Sequence, residues 1–424
     1  MKTKKRIFSV LLCLSFLTAV IISDCTATKK ESKFIFWDKS EYIQDYNNIN
    51  KIMAQDFCRA KGYTLDYVIM NSNGLKSKLM AAIEANSAPD LIVTDDFTAT
   101  QFVGMRQALD VTDVVSKLNL TKAAKTITNM KGKYYAVMQA ILAPAMYIRK
   151  DKFDAAGLSY PTTWQEVVDD ALKLTDKEHD FYGAGFPLGA SGGGDAEGWL
   201  RSLIFSYGGM LVNKNNKIVV NSSKTLQALK LAATMFMNGS EPPSAITWDD
   251  SGNNQAFLAG QIAITFNSGS LMNAINTINT DLKDKVLALS YPKGPTGSFV
   301  PSGGNVFMIL AKSKNPSAAK GFIQAFFKKS YYSSLVQKLA PMWQPALSGF
   351  DNDPFWKTSN NIGWLNTSKN ICSLNYPLQM DDKASQAMSS QVIVKAMQNI
   401  VVYHMEPQKA LDALENNLKT IYAQ

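Results

Sequence analysis

Two rhythms of apolar residues alternate along the N-terminal part of the chain. Lys33-Phe34-Ile35-Phe36-Trp37 and Leu65–Ile69 are short apolar runs of strand length, rich in aromatic and β-branched residues. Between them, residues 49–61 read as a helix. Leu75, Leu79, Ala82 and Ile83 then recur at i, i+4, i+7 and i+8, which predicts a helix over 74–85. Pro89-Asp90 introduces a third strand, Leu91-Ile92-Val93-Thr94. Strands alternating with helices predict an α/β fold, with mostly parallel sheets flanked by helices.

The same patterning continues. Thr163-Trp164-Gln165-Glu166 has the form of a capping box, with Thr163 as N-cap and Glu166 reaching back. The helix it opens would bury Trp164, Val167, Val168, Ala171 and Leu172. Asn315-Pro316 opens another, Asn capping and Pro in the first turn, with Phe322, Ile323, Phe326 and Phe327 facing inward. A last helix from Pro407 carries Leu411, Leu414, Leu418 and Ile421. No internal repeat, coiled coil or low-complexity tract interrupts this pattern, and 424 residues suffice for two such lobes.

The N-terminus follows another logic. Lys2, Lys4, Lys5 and Arg6 precede the apolar run 7–22, which is shorter than the ~20 apolar residues of a spanning helix and contains Ser9, Ser15 and Thr18. A basic stretch before a short apolar core predicts a secretory signal over residues 1–24. Ile22-Ser23-Asp24-Cys25 resembles a lipoprotein box, which makes Cys25 the expected lipidated residue and residues 25–32 a polar tether. Asp24 departs from the small residue usual at that position.

This changes the meaning of the charge. The whole chain is formally +9, but without residues 1–24 it has 40 basic and 34 acidic residues, a formal +6 scattered along 400 positions. No basic stripe suggests nucleic acid. Two His and four Cys, with no Cys/His spacing, argue against a zinc enzyme or His-based hydrolase and predict no metal or cofactor. Cys58 and Cys372 are expected to be buried small hydrophobes.

Several segments in order resemble bacterial extracellular solute-binding proteins (family 1) that serve ABC importers. They are Ala81-Ala82-Ile83-Glu84-Ala85-Asn86-Ser87-Ala88-Pro89-Asp90, Gly132-Lys133-Tyr134-Tyr135 with Tyr147-Ile148-Arg149-Lys150-Asp151, and Pro161-Thr162-Thr163-Trp164-Gln165-Glu166. Phe257-Leu258-Ala259-Gly260 and Asn315-Pro316-Ser317-Ala318-Ala319-Lys320 complete the set. Met138 departs from the Pro common there. The resemblance, nearest to maltose- and multiple-sugar-binding lipoproteins, implies a two-lobed periplasmic-binding-protein-like fold (type II) with a ligand cleft at the hinge. It implies one lobe over 33–143 plus 268–312, a second over 144–267 plus 313–424, and crossings near 143, 267 and 312. It further implies a monomeric, non-enzymatic receptor, lipid-anchored on the outer face of the membrane, that captures a carbohydrate and passes it to permease subunits.

Ligands of open α/β sheets gather beyond the carboxyl ends of strands. That rule selects Asp38, Ser40, Glu41 and Tyr42 after the first strand, and Asp95, Asp96 and Phe97 after the third. Near the crossings it selects Gln139, Asn267, Ser268, Ser270, Gly304 and Asn305. Carboxylates and amides suit vicinal hydroxyls, and aromatic rings suit the C–H faces of sugars. Trp199, Trp248 (with Asp249) and Trp343 lie in loop-like contexts and are the expected platforms, whereas Trp164 reads as core and Trp356 and Trp364 as loop anchors. No aromatic follows Ile262–Phe266, where many sugar binders have a Trp, which leaves non-sugar solutes open. The glycine run 192–194 lacks the Lys-Ser/Thr of a phosphate loop and reads as a turn. Two rivals remain: a glycosidase using Asp95 or Asp96 with Asp249 or Glu197, and a ferric-ion binder using Tyr134-Tyr135 or Tyr331-Tyr332.

Overall fold

The computed structural model describes residues 32–41, 44–190, 194–358 and 361–423; Cys25 and Tyr42 lie outside them, as do the signal and nearly all of the tether. β1 (Ser32–Lys39), α1 (Gln44–Lys61), β2 (Tyr63–Met70), α2 (Ser72–Glu84), β3 (Leu91–Asp95) and α3 (Asp96–Gly104) follow in the expected order. α4 (Thr112–Val115), α5 (Lys122–Thr128), the hairpin β4 (Asn129–Met130) and β5 (Lys133–Tyr134), and β6 (Val137–Leu142) complete the first pass through one lobe.

The chain then enters the second lobe with β7 (Ala145–Arg149), α6 (Lys150–Ala155), α7 (Trp164–Leu174), α8 (Asp195–Ser206), α9 (Ser223–Met237), α10 (Gly252–Leu258) and β8 (Ile264–Asn267). α11 (Gly269–Thr277) and β9 (Val286–Leu289) stay there. β10 (Val300–Pro301) leads back to the first lobe through β11 (Gly303–Ile309), α12 (Pro316–Phe326), α13 (Lys329–Leu339) and β12 (Gln344–Pro345). α14 (Ile362–Ser368), β13 (Ile371–Cys372), α15 (Asp382–Ser389), α16 (Val392–Val401) and α17 (Pro407–Ala423) close the second lobe.

The first lobe is built on a six-stranded sheet in the order β12-β6-β11-β3-β1-β2. β1 pairs in parallel with β2 and β3, while β11, β6 and β12 join antiparallel. The second lobe has a three-stranded sheet, β8-β7-β9, in which both neighbours of β7 are antiparallel. The expectation of mostly parallel sheets therefore holds only for β1–β3. In the first sheet β11 and β12, which follow the return crossing, run opposite to β1–β3, whereas β6 runs in the same direction as they do.

The lobe boundaries also need correction. The crossing at 143 is as expected, but β9 pairs with β7, so residues 268–289 stay in the second lobe. The return crossing runs through residues 290–302, and the last leaves the first lobe after β12 at Pro345. α12 belongs to the first lobe because Phe322 packs on Phe36 at 5.4 Å, Phe57 at 5.6 Å and Phe307 at 5.9 Å. Asp90 fixes its start. One carboxylate oxygen accepts the N–H groups of Lys314 and Asn315 and the Ser313 hydroxyl, while the other accepts Ile35 N–H. Asn315, the expected cap, instead donates its side-chain amide to Lys33 O at 2.8 Å and to Asp90.

The capping box of α7 is present, with Glu166 N–H donating to Thr163 Oγ1 at 3.2 Å and Thr163 N–H to Glu166 at 3.0 Å. Its stripe differs in one place: Leu172 is exposed, and Asp170 and Leu174 are buried instead. Around the second sheet, Phe266 contacts Trp164 at 5.1 Å, Phe186 at 5.0 Å and Tyr291 at 4.5 Å. Trp356 and Trp364 are fully buried, the latter against Tyr147 at 5.6 Å. Cys58 and Cys372 are free and buried, and burial pushes their thiols up to about 11 and about 12.

Candidate functional site

A short connection carries the chain from the first sheet to the second. Leu142, the last residue of β6, pairs with Gly303, and Ala145, the first of β7, pairs with Asn267. Only Ala143 and Pro144 lie between, so these two strand edges are separated by at most ~10 Å of chain. Gln344 Oε1 accepts Ala143 N–H at 2.8 Å and Thr367 donates to Pro144 O at 3.1 Å, which seats the crossing.

On the first lobe, the inward alternation of β1 buries Phe34, Phe36 and then Asp38. α1 meets it with Tyr46 and Asn50 on the same face as Ala54 and Cys58. Asp38 accepts from Asn47 at 2.7 Å, from Asn50 at 3.1 Å and from the Tyr67 hydroxyl. Gln139 donates to Asn50 at 3.0 Å and accepts from Tyr46. Asn305 donates to Tyr46 at 2.8 Å and to Glu41 at 2.8 Å, and Glu41 pairs with Lys39 at 2.9 Å. Burial pushes Asp38 up to about 6, against the three donors that hold it down.

Asp38, Gln139 and Asn305 are thus buried members of a network beneath the surface, not groups presented to a cleft, and Asp38 Oδ1 is left without a hydrogen-bond partner among the described residues. They position Glu41, which is near the surface of the cluster beside Ser40. Trp343 lies behind it, buried with its ring 5.7 Å from Tyr46, so it is a floor rather than an open platform. Tyr332 donates to Gln139 O at 2.8 Å and accepts Ala346 N–H at 2.7 Å.

Beside this network, Asp95 caps α3 by accepting Thr98 N–H at 2.7 Å. Asp96 instead turns to β11, where it accepts Gly304 N–H at 3.0 Å. A Cβ on Gly303 would stand 1.9 Å from Asp96 Oδ1, and one on Gly304 would stand 2.1 Å from Ala140 O. The two glycines therefore serve close packing, one for a carboxylate and one for a neighbouring strand. Burial and the adjacent charge of Asp95 push Asp96 up to about 6, although Gly304 N–H opposes this. Phe97 is half-buried.

On the second lobe, Asn267 donates to Asp195 at 3.3 Å and to Asn254, and accepts weakly from Ser270 at 3.4 Å. Ser268 caps α11 and shares a 2.8 Å bond with the exposed Ser270. Asp250 accepts the N–H groups of Gly194 and Asp195 at 2.8 and 3.0 Å, which places its charge at the start of α8. Burial, with the nearby Asp250 charge, pushes Asp195 up to about 7. Trp248 is half-buried and needs Gly252 beneath it, where a Cβ would meet its Cγ at 2.4 Å.

Two expected residues do not join this cluster. Trp199 is 1% exposed, packs on Phe186 at 5.2 Å and donates to Pro187 O at 3.1 Å, so it is core. Asp249 is exposed and turned back on Ser251, whose N–H and hydroxyl hold its carboxyl below the usual range. Glu197, offered as an acid for hydrolysis, is locked in a buried pair with Arg201 at 2.9 Å and accepts Ile393 N–H.

Asp195 and Asn254 meet at Asn267, and Asp250 joins them through Asp195 N–H; no local signal in the sequence brings these residues together. Asn50 had a signal: an amide on the apolar face of a helix requires a buried partner. Among the described residues, no group of three His, Cys, Asp or Glu side chains could hold a metal, and no helix is long and apolar enough to cross a membrane.

Residues 40–332 match the model of a family described as bacterial extracellular solute-binding protein. A Brucella abortus (strain 2308) protein described as a binding protein is 26% identical over 281 residues, 65% of this chain and 67% of that one. The structure of the sugar-binding protein MalE from Xanthomonas citri aligns with a TM-score of 0.79 at 15% identity, covering 92% of this chain and 98% of the other. An ABC transporter solute-binding protein from Agrobacterium radiobacter K84, in complex with ribitol, aligns with a TM-score of 0.70 at 22% identity, covering 92% and 98%.

Proposed function

The chain belongs to the bacterial extracellular solute-binding proteins, and from that premise we propose that it captures a carbohydrate between its lobes for an ABC permease. The observation that carries this reading is that a two-residue connection joins two strand ends, Leu142 beside Gly303 and Ala145 beside Asn267, each of which borders a group of polar side chains. In this reading Glu41, Ser40, Asp96 and the Gly303–Gly304 edge hold the ligand from one side. Asp195, Asn267, Ser268, Ser270 and the Trp248 ring hold it from the other.

Sugar hydroxyls donate to carboxylates and exchange hydrogen bonds with amides and serines, while an indole covers a C–H face. Each such bond contributes only ~0.5–1.5 kcal/mol net, so the ligand needs both lobes and thereby favours closure. A switch from 1:99 to 99:1 in favour of the closed form takes ~5.5 kcal/mol of differential affinity. The protein binds without chemical conversion, and the permease and its ATPase are separate chains. Export by residues 1–24 and lipid attachment at Cys25 complete the proposal and would hold the receptor at the outer membrane–water boundary.

A melting-temperature screen of residues 25–424 against mono- and oligosaccharides tests it. A true ligand at 100 times its Kd stabilises by about 2.7 kcal/mol, a shift of several degrees. Melting that responds to a polyamine, peptide or ferric ion, and to none of the sugars, refutes the carbohydrate reading. New reducing ends appearing in a bound oligosaccharide would refute the non-enzymatic one.

A further inference from the structure

Asp96 in the first turn of α3 accepts from Gly304, and further along the same helix Thr100, Gln101 and Gly104 line a cavity of about 1600 Å³. The first lobe walls it with α5 and the β4–β5 hairpin, and the second with the turn 214–216 and the strip 377–382. Gln101 donates to Asp382 at 3.0 Å and Gln379 to Thr126 O at 2.7 Å, so its walls are bonded across the lobes. None of the polar residues of the two hinge clusters lines it.

The charge of this cavity is one-sided. Lys122, Lys125, Lys131, Lys133 and Lys214 line it, against Asp381 and Asp382. Lys133 is paired with Asp110 at 3.1 Å. Asp381 is committed to Ala384 N–H at 2.8 Å as the cap of α15, and Asp382 accepts from Gln101. The other four lysines have no carboxylate within ion-pair distance among the described residues. Tyr134 and Tyr135, both half-buried, stand among them.

Four lysines along the wall of one concavity, with no carboxylate paired to them among the described residues, raise the local concentration of anions. A volume beyond the ~300–1,000 Å³ of ordinary small-ligand pockets suits an extended occupant rather than a single ion. Tyrosine rings between the charges suit an occupant with apolar faces between its anionic groups. We propose that this cavity is a second binding site, for an acidic oligosaccharide whose sugars carry carboxylate or sulfate groups; the proposal rests on the carbohydrate reading of the protein. The lysines neutralise the anionic substituents, the tyrosines cover ring faces, and the ligand bridges the lobes at a place separate from the hinge clusters.

Calorimetric titration of residues 25–424 with a galacturonic acid tetramer, a sulfated tetrasaccharide and maltotetraose tests this. The runs are made at about 20 mM and about 300 mM salt, either side of a ~10 Å Debye length. At least one acidic tetramer should bind more tightly than maltotetraose and lose affinity in high salt; which one binds tells carboxylate from sulfate recognition. The triple variant Lys125→Gln, Lys131→Gln, Lys214→Gln should weaken the acidic ligand about tenfold and leave melting temperature and neutral-sugar binding unchanged. Lys214→Gln alone, on an exposed turn, should weaken it about twofold. Acidic tetramers no tighter than maltotetraose, or full affinity in the variants, overturn the second site. If maltotetraose or another neutral sugar still binds, the receptor reading survives that failure; if no sugar of either kind binds, both fall.

Discussion

The two hinge clusters use similar residue types in opposite ways. In the first lobe, Asp38, Asn50, Gln139, Tyr46 and Asn305 are all at most 1% exposed and bond to one another. In the second, Asp195 lies close to the like-charged Asp250, Ser270 is exposed and Trp248 is half-buried. A densely bonded buried network is rigid because the loss of any member leaves polar groups unpaired; here a single atom of the network, Asp38 Oδ1, lacks a partner among the described residues. A half-exposed cluster with spare acceptors can still exchange partners. The comparison assigns preorganisation to the first lobe and adaptable recognition to the second.

The sharpest way to break this contrast is Asp38→Ala, which strands the Asn50 amide and leaves Asn47 and Tyr67 with only their backbone acceptors, Lys39 O and Asn47 O. We expect a loss of about 3 kcal/mol or more in urea unfolding. A loss within experimental error would mean that the first-lobe network is no more constrained than the second. Gly303→Ala comes next. Its methyl group would displace the Asp96 carboxylate, so about 2 kcal/mol of stability should be lost together with ligand affinity. Normal affinity in that variant would remove Asp96 from the site.

The third prediction concerns pH. Asp195 has its carboxyl pushed from an ordinary 3.8 up to about 7. The folded state therefore holds a proton that the unfolded chain has released, and stability falls as pH rises from about 4 through about 7. Asp38 and Asp96, pushed up to about 6, add the same sign over a window ending about one pH unit lower. Asp195→Asn should remove the last part of this decline. Relative to the parent chain, it should gain about 2 kcal/mol between about pH 5 and about pH 8, after allowance for partial exposure. A parallel pH profile for parent and variant would show that Asp195 is solvated like a surface carboxylate.

The smallest effect on folding separates the tryptophans. Trp248→Ala should cost about 1–2 kcal/mol of stability but weaken sugar binding about tenfold, as expected for loss of a stacking face. Unchanged sugar affinity would transfer the platform role to another residue of the second lobe.

Local chemistry was legible before the structure. The order β1–α1–β2–α2–β3 followed from period and punctuation, and the α7 capping box from four consecutive residues. Burial of Phe322, Ile323 and Phe326 followed from helical spacing, but their partners Phe36 and Phe307 did not. The resemblance, which implies the second lobe for 313–424, therefore misplaces α12. The same limit applies to the site: Trp199, Trp248 and Trp343 look alike beside glycines, prolines and acids. Burial made the first a core residue, the third a floor under Tyr46, and left the second half-open.

The loop-like reading of Trp199 gave way to α8, but the sequence by itself determined that β1–β3 are strands and that α1, α2, α7, α12 and α17 are helices, and which polar residues follow the first strand ends. These depend on neighbours within a few positions, where backbone sterics, capping and periodicity act. Only the tertiary structure decided that β9 and α12 belong to opposite lobes from those their positions suggest, and that Asp38 is buried while Asp195 remains half-open. It alone brought lysines from residues 122–133 and 214 onto one cavity. Strand pairing, burial and charge convergence join residues far apart in the chain, and their free energies exist only once the lobes have packed.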